Sequence, residues 1–231
     1  MIQNIYFSAG GITGTIEFFG KIKYLLRAGV CNIQTDIYGC SAGSFAGLLL
    51  FIGIRRQLDL DDIQNKCLEL YNSQLKLRSR AIQILEYVID KYCGDIVFDR
   101  LHIGISKIDG FVFVIPKDDL LECLMSSMNI PIIIGYNGYG LDGGLMMSAS
   151  HHLPENTLIL NTTFWFPISF IIPITNTTVR ILNEYGEESV KYQISHPKKE
   201  TDNIKHEYRF TDFQLGLLFS IHQIYSGHIA I

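Results

Sequence analysis

The feature that most narrows what this chain can fold into is Gly39-Cys40-Ser41-Ala42-Gly43. Before it lies a strand-like run, Gln34 to Tyr38, and after it Ala42 to Phe51 (AGSFAGLLLF), apolar all round and opening on small residues. A helix apolar on every side belongs between layers rather than on a surface. G-x-S-x-G between a strand and a buried helix is the context that a nucleophile elbow requires. The turn is so sharp that the positions two before and two after the serine must be glycine or nearly so. Its Oγ is then held out at the strand's end, over the positive end of the helix. Ser41 is therefore the candidate nucleophile, with Gly39 and Gly43 as the glycines of the elbow.

Two other glycine-rich stretches lie at strand-to-loop junctions. Ser8-Ala9-Gly10-Gly11-Ile12-Thr13-Gly14 follows a short apolar strand, Gln3 to Ser8, and precedes a helix expected from Gly14 to Ala28. On that helix Ile16, Phe19, Ile22 and Leu26 share a face, and Gly29 stands where a terminating glycine belongs. Residues without side chains let several N–H groups point into one space at a helix N-terminus, which suits an anion. The stretch reads as an oxyanion hole or phosphate cradle, or as a tight turn and no more. Asp142-Gly143-Gly144, after Tyr139-Gly140-Leu141, puts a carboxylate at a strand end with little steric cover. As a base it would orient and deprotonate Ser41. An ordinary aspartate, with a pKa near about 3.9, is weak for that task, so a close hydrogen bond and a dry site must supply the rest. The other reading of the tripeptide is an Asp-Gly turn.

The remainder alternates helix and strand patterns. Asp59 and Asp61-Asp62 cap a helix expected to run towards Leu77, and a second covers Ala81 to Tyr92. Leu101 to Ser106 and Phe111 to Ile115 form a hairpin, and Asp118 to Met128 is helical, ended by Pro131. Strand-like runs follow at Ile132–Ile134 and Leu158–Leu160. His196 to Arg209 is an exposed loop, and Thr211 opens a closing helix through Ile224. Such alternation specifies an α/β layered sheet. With no repeat and no linker, residues 1–231 read as a single domain.

Composition removes several function classes. Hydrophobic residues are 48% and charged residues 18%, which with a mean hydropathy of +0.20 rules out a disordered chain. The net charge of -4 argues against a nucleic-acid partner. Cys31, Cys40, Cys67, Cys93 and Cys123 form no C-x-x-C pair and read as reduced core residues of a reducing compartment. The first residues lack the basic and apolar regions of a signal peptide. Leu158 to Ile174, the longest apolar stretch, is broken by Asn161, Pro167 and Pro173 and is no membrane span. A cytoplasmic protein without metal or cofactor is expected, with peripheral membrane contact through Thr163 to Ile174 and its Trp165 as one use of that stretch and a buried strand plus loop as the other. Lys76, Arg78 and Arg80 suit lipid phosphates or a solvated helix end equally. Met125, Met128, Met146 and Met147 suit an acyl pocket or adaptable core packing.

Together the three glycine-rich stretches resemble the patatin-like phospholipase family, whose pattern is a G-G-G-x-[RK]-G oxyanion loop, a G-x-S-x-G elbow soon after, and a late D-G-[GA]. Order and spacing match, and Ser126-Ser127-Met128-Asn129-Ile130-Pro131 is similar to a family segment leading into the aspartate strand. The likeness covers residues 3–53 and 118–147. It implies a three-layer α/β/α sheet, a catalytic Ser41–Asp142 dyad without histidine, and an oxyanion hole from the amides of Gly10, Gly11 and Ile12. It also implies acyl-ester hydrolysis on phospholipids or other acyl lipids without a metal. The chain departs from the pattern in both glycine loops: Thr13 stands where the family has a basic residue and Ala9 where it has its first glycine, and Met146-Met147-Ser148 stands where the family often has an Asn-Pro segment.

Three other readings compete. Ala9, Gly11 and Gly14 nearly fit G-x-G-x-x-G, with Asp36 at the distance of a ribose-binding acid, which would make a nucleotide site. An ordinary α/β-hydrolase would add a histidine (His151, His152, His196, His206, His222 or His228), although that fold has a strand-rich stretch before its elbow. A non-catalytic lipid-binding or interaction module on the same fold is the third.

Overall fold

The computed structural model describes residues 1–107, 110–117, 119–129, 141–142, 149–162 and 174–195. Ile132–Ile134, Gly143-Gly144, Met146-Met147, Trp165 and its neighbours, the 196–209 loop and the closing helix from Thr211 lie outside the described residues.

Four strands run parallel. These are β1 (Asn4–Phe7), β2 (Asp36–Cys40), β3 (Leu101–Lys107) and β6 (Thr157–Leu160). β4 (Gly110–Val114) closes one edge antiparallel to β3, giving a mixed sheet in the order β4-β3-β2-β1-β6. A two-residue strand, β5 (Leu141–Asp142), pairs antiparallel with β3 off this path. The helices are α1 (Gly11–Ala28), α2 (Ala42–Arg55), α3 (Leu60–Tyr71), α4 (Leu77–Val88), α5 (Leu120–Ser127) and α6 (Asn176–Ser195). The steps from β1 to β2 and from β2 to β3 go the same way across the sheet. Right-handed crossovers therefore set α1 and α2–α4 on one face.

Strand alternation sorts the core into two parts. Ile5, Phe7, Ile37, Leu101, Ile103, Ile105 and Leu160 join the helices, meeting Phe18, Phe19, Ile22, Phe45, Leu48 and Leu49. Tyr6, Tyr38, Cys40 and Phe111 point the other way, with Phe113 and Ile159 against them. Phe113 meets Tyr38 and Phe111 edge-on at 5.1 and 4.9 Å between ring centres, the offset geometry that aromatic quadrupoles favour. The family resemblance implies helices on both faces. Among the described residues, buried helical side chains collect on the first face. The architecture is thus an α/β fold with a mixed sheet flanked by helices.

Several boundaries differ from expectation. α1 begins at Gly11, three residues early, because Gly11 takes φ 58° and turns the chain from strand into helix almost at once. The stretch expected to be one helix towards Leu77 stops at Tyr71, and α4 starts at Leu77 rather than Ala81. α4 continues into a π-helical turn, Ile89–Cys93. The Asp59 cap is present, accepting from the Asp62 N–H at 2.9 Å. α6 has no counterpart among the helices expected from the sequence. Its buried residues are only Leu182, Gly186 and Val190, so the apolar stripe is thin and broken by a glycine.

α6 lies on α1 through two glycines. A Cβ at Gly20 would come 2.0 Å from the Asn183 carbonyl oxygen, and one at Gly186 would come 2.2 Å from that of Glu17. Neither obstruction is a side chain that can swing away. Gly20→Ala should therefore lift α6, costing about 1–3 kcal/mol and exposing it to limited proteolysis before the sheet unfolds. A digestion pattern like the wild type's would contradict the close helix contact. Nearby, Lys21 and Glu17 form a buried ion pair at 2.8 Å, and the Lys21 ammonium also donates to the Asn161 carbonyl. Burial pushes the Lys21 pKa down, against the attraction of Glu17. Among the described residues, no helix is long and apolar enough to cross a membrane.

Candidate active site

Ser41 follows β2 directly and caps α2 with φ 55° and ψ -126°. A non-glycine residue held at positive φ costs on the order of 1–3 kcal/mol, so surrounding contacts must enforce it. They do so through backbone. A Cβ on Gly39 would lie 2.2 Å from the Gly43 oxygen, and a Cβ on Gly43 would lie 2.1 Å from the Phe7 oxygen and 2.4 Å from that of Ser8. The chain folds back on itself and against the end of β1 too closely for side chains at either position. The steric demand read from G-x-S-x-G is met here atom by atom.

Hydrogen bonds then fix the turn. The Ser41 N–H donates to Ser127 Oγ at 3.0 Å, and that hydroxyl donates to the Gly104 carbonyl at 2.6 Å. The Ser41 carbonyl accepts from both the N–H and the Oγ of Ser44. These bonds use main-chain atoms of Ser41, which is 7% exposed.

Strand register brings Asp142 to the same place. Cys40 is opposite Gly104 on β3. Were β2 to run one residue further, Ser41 would face Ile105. The elbow removes it, and Asp142 of β5 occupies that position opposite Ile105 instead. It does so on the β2 side, since β4 fills the other flank with Val112 opposite Ile105. The Asp142 N–H donates to the Asn129 carbonyl at 2.8 Å, and its own carbonyl accepts from Ser106 Oγ at 3.0 Å. Asp142 is 3% exposed. The end of α5 thus ties down both residues, one through Ser127 and the other through Asn129, two positions on.

The glycine loop lies alongside. Ser8 donates its N–H to Leu160, at the end of β6. Thr162, two residues on, packs its methyl and hydroxyl where Cβ atoms on Gly10 and Gly14 would stand, and it donates to the Ala9 carbonyl at 3.4 Å. Gly14 gives its N–H to Gly10 at 3.0 Å, as a helix's first closed turn requires. The amides of Gly11 and Ile12 belong to the first turn, whose N–H groups have no partner within the helix. Gly10, expected to contribute its amide, is the N-cap at φ -163°. Thr13 is fully buried. Support for the loop comes from Thr162 and from Lys21 holding Asn161, rather than from a cation in the loop.

Ser41, Gly11 and Ile12 open onto a cavity of about 160 Å³. Its walls are mainly apolar: Ile16 of α1, Ala42 and Phe45 of α2, Leu68 of α3, Ala81 and Leu85 of α4, and Met128. Cys67 also lines it, and burial pushes that thiol up to about 12, so it remains protonated at neutral pH.

The other candidates named from the sequence disperse. Asp36 is at the start of β2, the opposite end of the strand from the elbow, bonded to Arg100 at 2.9 Å and to His102 at 3.2 Å. That is the wrong end of the sheet for a ribose-binding acid, because ligands of such folds gather at the carboxyl ends of the strands. His151 and His152 are exposed on a short 3-10 turn. Met125 is core, whereas Met128 lines the cavity. The sequence marks Ser127 and Asn129 only as members of the 126–131 segment and gives neither a role, and it does not show which parts of α3 and α4 wall the cavity. Comparison with protein-family models and with curated proteins finds no match.

Proposed function

We propose that the chain is a serine acyl-ester hydrolase of the patatin-like kind, acting on phospholipids or other acyl lipids, with the three-layer fold that goes with it. The observation carrying this reading is Ser41, strained at positive φ between two sterically obligatory glycines. Asp142 takes up the adjoining place in the sheet, and an apolar cavity opens at the serine.

In the mechanism this supports, Asp142 accepts the Ser41 hydroxyl proton as Oγ attacks the ester carbonyl. The oxyanion is met by first-turn amides of α1, those of Gly11 and Ile12, with Gly10 beside them. The Ala42 N–H, first of α2, belongs to the same hole, since the residue after the nucleophile supplies one donor in an elbow. Collapse expels the alcohol, which takes the proton from Asp142 and leaves an acyl-serine. A water deprotonated by Asp142 then releases the fatty acid and restores Ser41. The cavity wall suits an acyl chain because apolar area removed from water is worth about 25 cal/mol per Å². The protein would meet such substrates at the surface of a membrane or micelle.

The test is covalent. An alkyl fluorophosphonate should label the native protein once, with the adduct on the Ser41 peptide and lost on heat denaturation. Labelling elsewhere, or none at any pH at which the protein stays folded, would reject the reading.

A further inference from the structure

Among the described residues, one charged side chain lines the cavity at Ser41. Lys76, Arg78 and Arg80 form a basic group in the sequence, but only Arg80 lines the cavity, while Lys76 and Arg78 are exposed. Its place follows from the topology. α2 starts at the elbow and runs away from the strand ends, α3 returns, and the α3–α4 turn brings Arg80 back to the level of Ser41. The guanidinium is held by neutral groups. Nε donates to the Leu75 carbonyl and Nη2 to that of Ser73, both at 2.7 Å, and the group lies over the Tyr71 ring at 5.9 Å. Among the described residues it has no carboxylate partner. These bonds aim the group while leaving its charge uncompensated, and an arginine has five N–H donors in a fork suited to phosphate.

We infer that Arg80 is the headgroup-recognition residue of this site, pairing with the phosphate of a phospholipid whose acyl chain lies along the apolar wall. The inference rests on the acyl-hydrolase reading and narrows it from acyl lipids in general to phosphate-bearing ones. Charge complementarity selects this occupant. A neutral acylglycerol would fill the apolar wall but give the guanidinium nothing beyond carbonyls it already has. A phosphodiester supplies the missing anion next to the ester to be cleaved. The cation is half-buried, so water screens the pair less than at an open surface.

The experiment compares dioctanoyl phosphatidylcholine with dioctanoylglycerol, presented in the same neutral-detergent micelles, for the full chain and its Arg80→Gln and Arg80→Lys variants. The ratio of the two kcat/KM values is read within each protein, so any loss of folded fraction cancels. In Arg80→Gln the ratio should fall about tenfold, the scale of one charge-assisted contact at a partly exposed site. The loss should appear in KM for the phospholipid, and Arg80→Lys should recover part of it. An unchanged ratio overturns the inference and leaves the hydrolase reading standing. Should neither ester be cleaved, the hydrolase reading fails, and binding decides the matter. Dodecylphosphocholine below its micelle concentration should then bind more tightly than dodecyl maltoside, with the difference lost in Arg80→Gln. Equal affinities in the wild type reject the phosphate site.

Discussion

Ser41→Ala should reduce ester hydrolysis to background, a loss of at least about 10⁴-fold, with little change in melting temperature. Both halves follow from how Ser41 is bonded. The described hydrogen bonds run through its N–H, to Ser127, and through its carbonyl, from Ser44. Alanine retains both while losing the attacking atom. Asp142→Asn should be nearly as damaging, by about 10²–10⁴-fold, because an amide cannot accept the hydroxyl proton. Its main-chain bonds to Asn129 and Ser106 should survive the change. Hydrolysis of a soluble octanoate ester, measured beside thermal melts, separates chemistry from folding. A folded Asp142→Asn protein with near-wild-type turnover would remove the carboxylate from the mechanism, and a folded, active Ser41→Ala protein would remove the serine.

How far the sequence can be read depends on what kind of force sets each feature. The elbow is legible because its constraint is local and steric: five consecutive residues meet one another, and Gly39 and Gly43 record the clash they avoid. Helix capping at Asp59 is legible for the same reason, since donor and acceptor lie three residues apart. The break between α3 and α4 is legible but misplaced, expected after Leu77 and found after Tyr71, because neither proline nor glycine marks it and the helical pattern runs on through Asn72–Lys76. α6 escapes notice because three buried residues and a glycine make too thin a stripe, and its place is set by Gly20, far off in the chain. Ser41 and Asp142 can be named separately, but their adjacency depends on a register exchange between β2 and β5 along β3. Ser127, whose one hydroxyl joins the elbow to β3, carries no local mark of that role. Arg80 is visible as a charge yet not as a wall of the cavity, because a helical hairpin has to return it there.

Gly43→Ala should be strongly destabilising. The added methyl would stand 2.1 and 2.4 Å from two consecutive carbonyl oxygens, Phe7 and Ser8. Phe7 is paired on both flanks, opposite Gly39 on β2 and Leu160 on β6, so the oxygens cannot retreat without parting the sheet. α2 cannot retreat either, because its buried face runs from Ala42 to Ile52. Overpacking typically costs about 1–3 kcal/mol, and backbone on both sides puts this case at or above the upper end. At about 2–4 °C per kcal/mol for a chain of this size, the melting temperature should fall by roughly 6–12 °C. Gly47→Ala, one turn along the same helix, supplies the control. Its Cβ would meet the Ile37 methyl at 3.2 Å and the Leu101 methyl at 3.5 Å, both side chains able to give, and helix propensity favours the change by up to about 1 kcal/mol. The two variants should differ in melting temperature and also in activity. Phe7 and Ser8 lead directly into Gly10 and Gly11, so a methyl that displaces them moves the glycine loop relative to Ser41. If Gly43→Ala melts and turns over like Gly47→Ala, the tight contact between elbow and β1 is wrong, and with it the physical basis for holding Ser41 at positive φ.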